Sequence, residues 1–351
     1  MILSNSEFFY LFTAAFITVS LLTPLMRVVA IRYGVVDSPN ASHKTHKRPV
    51  PYLGGVAIVL GIIFFAYVAI FSKDYTKENL WLATSVLAPA ILMGIIGLID
   101  DIRNLSPWPR FIAQNLVGIA SAAILISTKT VGSPTGSTVL DILITVLWIV
   151  GITNSINFLD NIDGGASGVV AISSLFLFLI AYEGGQILIS SFALALTGAT
   201  LGFLVWNRPP ARIYMGDAGS LFLGLLIASL TVRLEPNPIN QYASFAIPLL
   251  IMAVPILDTS VAVTSRILRG VSPFQGGRDH LSHRLMQKGL SKRQAVVTIW
   301  CISFFFGALA WLISNASFSM EGSFTFLGGS IWIFAMIFFL RSEPQTSERR
   351  A

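Results

Sequence analysis

The chain has 351 residues, 54% of them hydrophobic and only 11% charged, with a net charge of +6. A soluble globular chain carries about 25% charged residues, so this one is too poor in charge to coat a soluble surface and too apolar for disorder. Its 28 Gly and 16 Pro exclude a coiled coil, and the single Cys301 excludes a disulfide scaffold or a Cys-based zinc site, which leaves an integral membrane protein.

A helix needs about 20 apolar residues to cross a bilayer. The first such run, 8–31, lacks a basic leader and a small-residue cleavage site, so it reads as a span and not as a signal peptide. Ten more follow: 52–71, 80–99, 111–127, 137–153, 166–182, 187–206, 217–232, 242–267, 295–313 and 324–340. Runs 137–153 and 217–232 are short. All are continuous and not alternating, which favours helices over barrel strands. With no repeat and no long polar stretch, the expectation is one all-α transmembrane domain over 1–351, with about 11 spans and a loop at 266–294.

Basic residues set the orientation. Of 23 Lys and Arg, Lys73, Lys77, Lys129 and Arg233 alone fall on one side of this arrangement. The N-terminus is therefore expected outside and the C-terminus in the cytoplasm.

The unexplained carboxylates gather on the cytoplasmic side. Asp100 and Asp101 end the third span, Asp160 and Asp163 follow the fifth in a segment that also holds Asn154 and Asn157, and Asp217 opens the eighth between Gly216 and Gly219. Asp258 lies deep in the ninth, where Pro248 and Pro255 are positioned to break the helix. A carboxylate at membrane depth costs roughly 2.5–3.5 kcal/mol on insertion scales and points to function. Oxygen ligands of this kind suit a hard cation such as Mg²⁺, with Mn²⁺ as a substitute. Neighbours on a helix are rotated by about 100°, so Asp100 and Asp101 are expected to face different partners.

All four His lie in two basic segments, 42–49 (His43, Lys44, His46, Lys47, Arg48) and 276–285 (Arg278, His280, His283, Arg284). The Arg neighbours favour phosphate over a zinc site; attraction of the loops to anionic lipid is the alternative. Carboxylates ready for Mg²⁺ beside phosphate-binding groups suit phosphoryl transfer, and a catalyst within a membrane implies a lipid substrate.

These motifs, in this order, resemble the polyprenyl-phosphate N-acetylhexosamine-1-phosphate transferase superfamily over nearly the whole chain. The resemblance implies transfer of a phospho-sugar from a UDP-sugar to polyprenyl (undecaprenyl) phosphate, with Mg²⁺ and release of UMP. It also implies an inner or plasma membrane location, a cytoplasmic site and an early step of cell-envelope glycan synthesis; a homodimer is compatible with it, and no nucleic acid is expected. By resemblance, Asp100 and Asp101 stand near the lipid phosphate, Asn157 and Asp217 hold the metal, and Asp160 and Asp163 belong to the nucleotide side, with Asp163 near the uracil. Asn154, Asn207, Arg110 and Lys47 join the binding set, and His280, His283 and Arg284 match the loop that contacts pyrophosphate and sugar. Asp160-Asn-Ile-Asp163-Gly-Gly departs from the frequent Asp-Gly-Leu-Asp-Gly-Leu. The last loop lacks three consecutive His, which favours the branch using UDP-GlcNAc over the phospho-MurNAc-pentapeptide transferases of peptidoglycan synthesis. A membrane transporter is the alternative of another class; its site would lie near the midplane.

Overall fold

The computed structural model describes residues 4–37, 49–71, 77–103, 105–128, 135–236, 241–273 and 277–342. Lys47 and the first basic segment, apart from Pro49, lie outside them. In chain order the elements are α1 (Asn5–Arg32), β1 (Val36–Asp37), β2 (Val50–Pro51), α2 (Gly54–Phe71), α3 (Lys77–Arg103), α4 (Pro107–Ser127), α5 (Thr138–Leu159), α6 (Gly165–Glu183), α7 (Ile187–Asn207), α8 (Gly216–Val232), α9 (Gln241–Ile251), α10 (Ala253–Leu268), α11 (Leu281–Gln287), α12 (Lys292–Ser314) and α13 (Phe318–Leu340). The two strands form one short antiparallel pair, with Val36 opposite Pro51.

Each expected span falls on one helix, except the ninth, which falls on two, α9 and α10. Among the described residues eight helices are long and apolar enough to cross a membrane, and nine if the pair α9–α10 counts as one broken span. Gly54–Val68 and Gly216–Val232 are shorter apolar helices. The fold is thus a polytopic membrane bundle. The fifth helix is longer than expected, because nothing between Asn154 and Leu159 breaks it; it carries Asn154 and Asn157 and stops at Asp160. A left-handed Gly164 (φ 74°) then turns the chain into α6.

The broken ninth span has a physical cause. α9 and α10 meet at Met252 with a bend of 75°. Pro255, in the first turn of α10, has no N–H to return to the preceding turn.

α8 is the central post. Nearly all of its side chains are buried, and it packs against α2, α3 and α5. Leu, Phe and Ile on the outward faces of α1, α4, α5 and α13 are exposed, as expected where the neighbour is lipid and not water. Close backbone approach fixes the end of the post. A Cβ on Gly55 would lie 2.2 Å from the backbone nitrogen of Gly219, and one on Gly97 would lie 2.2 Å from the carbonyl oxygen of Asp217.

Candidate active site

The C-terminal ends of α3 and α5, the N-terminal end of α8 and the segment before α11 surround a cleft of ≈ 810 Å³. Asp37, Asp100, Asp101, Asp160, Asp163 and Asp217 line it, together with Arg110, Arg278, Lys292, His280 and His283. Residues far apart in sequence are therefore brought into one polar space at one end of the bundle.

Asp100 and Asp101 diverge. Asp100 accepts from Arg110 Nη1 at 2.6 Å and from the Leu105 backbone N–H at 2.7 Å. Arg110 also reaches Asp217 Oδ2 at 3.0 Å, so one guanidinium nitrogen bridges two carboxylates. Asp101 turns to backbone: its oxygens accept the N–H groups of Asp217 and Ala218 at 2.9 and 3.0 Å. It satisfies donors that the start of α8 leaves open, and its negative charge complements the positive end of the helix dipole.

Asn157 donates its amide to Asp217 Oδ1 at 2.7 Å and to Ser220 Oγ at 2.9 Å. No described residue donates to its amide oxygen. Asp163 is held by Lys292 Nζ at 2.6 Å and by the Ala211 N–H at 2.9 Å. Asp160 differs from all of these: no described residue donates a hydrogen bond to its carboxylate. Burial, then the charges of Asp217, Asp101 and Asp163, push its carboxyl well above the usual range.

Such crowding calls for a countercharge. Among the described residues no group of three or more His, Cys, Asp or Glu is arranged to hold a metal. Mg²⁺ is commonly bound by one or two carboxylates completed by water and substrate phosphates. The carboxylates of Asp160 and Asp217 and the amide oxygen of Asn157 fit that donor chemistry.

The second basic segment divides. His280 and His283 line the cleft. Burial, then the neighbouring His280 and Arg278, lower His283 to about 4. Arg284, expected at the pyrophosphate, does not reach the cleft. It is fully buried, donates to the carbonyls of Asp279 (2.8 Å) and Phe339 (2.6 Å), and also bonds Ser342. The correction follows from α11: the turn that aims His280 and His283 into the cleft sends Arg284 to the end of α13. Asn207 touches the cleft wall but is buried and occupied by Gly164 N–H, Ser167 Oγ and the Ile213 carbonyl. It braces the loop that carries Asp163. Asn154 bonds the Val150 carbonyl of its own helix and lies outside the cleft lining.

Sequence reasoning missed Tyr52, Tyr214, Asn161 and Lys292 in the lining. The two tyrosines meet at 6.2 Å between ring centroids because β2 hydrogen-bonds the segment before α8, Tyr214 N–H to the Pro51 carbonyl at 2.8 Å.

Comparison with known proteins matches the profile of glycosyl transferase family 4 to residues 83–235. A Bacillus subtilis protein named "Probable undecaprenyl-phosphate N-acetylglucosaminyl 1-phosphate transferase" is 36% identical over 87% of this chain and 85% of its own length. The chain belongs to glycosyl transferase family 4. A decaprenyl-phosphate N-acetylglucosaminephosphotransferase of Mycolicibacterium smegmatis is 34% identical over 82% of this chain and 77% of its own. A phospho-N-acetylmuramoyl-pentapeptide-transferase of Shouchella clausii is 30% identical over 85% of this chain and 93% of its own. The family 4 match contains every cleft carboxylate except Asp37 and stops before the His280 segment.

Proposed function

We propose that this chain transfers N-acetylglucosamine 1-phosphate from UDP-GlcNAc to polyprenyl phosphate. An oxygen of the lipid phosphate attacks the β-phosphorus of the donor. The bond from that phosphorus to the bridging oxygen breaks, UMP leaves with the electron pair, and a polyprenyl diphosphate sugar remains. The relatives' names support this substrate pair, and the site's composition supports the reaction type.

The observation that carries the reading is the crowded set of carboxylates around Asp160, beside Arg110, Lys292, Arg278 and two His in one cleft. A cleft with both signs of charge serves a reaction that moves a phosphoryl group between two anions, where positioning and charge neutralisation do most of the work. Asp217, Asn157 and Asp160 would hold Mg²⁺, which when bound neutralises charge on the donor's phosphates. Arg110 holds Asp100 and Asp217 in register, Asp101 fixes the start of α8, and Lys292 orients Asp163.

Our reading places eleven crossings in the inner or plasma membrane, the N-terminus outside, and the cleft at the cytoplasmic face. The bias of Lys and Arg supports that orientation, as does the position of the carboxylates at one end of the bundle.

The test uses purified full-length protein, Mg²⁺, undecaprenyl phosphate and a panel of UDP-sugars, with UMP release as the readout. Turnover with UDP-GlcNAc is expected. Turnover only with UDP-MurNAc-pentapeptide would move the chain to the peptidoglycan reaction, and no UMP with any donor would overturn the reading.

A further inference from the structure

Asp258 is fully buried in α10, outside the cleft, yet it contacts a residue that lines the cleft. Its Oδ2 lies 2.7 Å from His280 Nδ1, and its Oδ1 accepts the Leu281 backbone N–H at 2.7 Å. One carboxylate thus grips two successive residues of the same turn. Two turns further along α10, Arg266 approaches the other side of the ring, with Nη2 3.4 Å from His280 Nε2. Arg266 is itself held, donating to Asp279 Oδ2 at 2.9 Å and to the Pro273 carbonyl at 2.8 Å. Phe158 meets the ring edge-on, with centroids 5.9 Å apart.

The chemistry of the partners fixes the ring's proton. A carboxylate accepts, so Nδ1 carries a hydrogen directed at Asp258. A guanidinium only donates, so Nε2 faces Arg266 with its lone pair. The hydrogen bond at one ring nitrogen decides the state of the other. At 3.4 Å the Arg266 contact is longer than an ordinary N–H hydrogen bond, so the single lone pair of Nε2 is weakly held there and can be given instead to a closer donor in the cleft.

We propose that Asp258 is a positioning residue for the transfer reaction, holding His280 in the Nδ1–H form so that Nε2 accepts a hydroxyl or amide N–H of the donor's sugar. The 75° bend between α9 and α10 turns α10 to a new direction, and Asp258 and Arg266 on it clamp the ring from both sides. The proposal rests on the transferase reading for the identity of the donor, but not for the state of the ring.

The experiment separates the two. Full-length protein labelled with [¹⁵N]histidine contains four His, which single Gln substitutions assign. Ring ¹⁵N resonances are expected to show His280 protonated at Nδ1 and bare at Nε2. In Asp258→Asn the amide has one acceptor oxygen for two donors, so that pattern is expected to become mixed. Turnover with UDP-GlcNAc should fall at least tenfold, and Asp258→Glu should restore part of both signals. A purely structural role would lower the folded fraction and leave the ring pattern of folded protein unchanged. Protonation of wild-type His280 at Nε2 alone, or turnover of Asp258→Asn within twofold of wild type, would overturn the proposal. If Asp258→Asn does not fold, the wild-type ring pattern decides. If wild-type protein releases no UMP, the transferase reading fails and the ring pattern still decides the role of Asp258.

Discussion

Asp101 accepts the backbone N–H of Asp217 at 2.9 Å, so the helix that presents Asp217 is seated on a second carboxylate of the same cleft. Asp100, one residue earlier, is instead paired with Arg110. Separate substitutions should therefore fail differently. Asp101→Ala leaves the first turn of α8 uncapped, at a cost of about 1 kcal/mol, and should lower thermal stability as well as turnover. Asp100→Asn should keep the stability but lose tenfold or more in turnover, roughly 1.4 kcal/mol. Thermal unfolding and UMP release on both variants check this; equal, mild losses in both would refute it.

Asp217→Asn should abolish turnover in a protein that still folds. The amide preserves size and one acceptor but removes the charge that a divalent cation needs. Turnover of the wild-type protein should vanish in excess chelator and return with Mg²⁺ or Mn²⁺. Full turnover in chelator would remove the metal from the proposal.

Arg284→Lys should act on stability. The lysine has one nitrogen where the guanidinium reaches three carbonyls on two segments. The Phe339 carbonyl still accepts the Ser342 N–H at 3.1 Å, so the loss falls on the carbonyls of Asp279 and Ser342, and a buried acceptor left unpaired costs about 1–3 kcal/mol. A lower unfolding temperature with unchanged KM for both substrates in the folded fraction is expected. His283→Gln should instead raise the donor KM, because His283 faces the cleft. If Arg284→Lys shifts the donor KM without loss of stability, the assignment is reversed.

His283 also predicts a pH response. Its pKa is lowered to about 4 in the folded chain, against about 6.5 when unfolded. Between these values the unfolded chain binds more protons, so stability must fall as pH drops through that window and level off above about 6.5. Unfolding measured from pH 7.5 to 4 should show this slope, and His283→Gln should flatten it.

The bundle was legible in the sequence because apolar length alone dictates a span, and the cleft was legible because a carboxylate at membrane depth has few inexpensive explanations. The orientation of individual side chains was not. Arg284 follows His283 directly, yet its partners Phe339 and Ser342 lie more than fifty residues away, and no local pattern announces them. Asn207 reads like a ligand, but its amide completes the backbone of two turns. Asp258 carried a signal, an acidic residue in a helix just after two prolines; its link to His280 required the bend to be seen.

The closeness of Gly55 to Gly219, and of Gly97 to the Asp217 carbonyl, limits how this protein can vary. At Gly55 and Gly97 main chain meets main chain, and a Cβ on Gly219 would meet the Met215 side chain as well as the Gly55 Cα. A methyl group at any of them would push α8 away from α2 or α3 and move Asp217 relative to the carboxylate that seats it. Exchanging a cleft side chain, whatever it does to turnover, brings no main chain against main chain. The three glycines have no such latitude: variation in the chemistry of this site is open to its side chains and closed to the small residues beneath them.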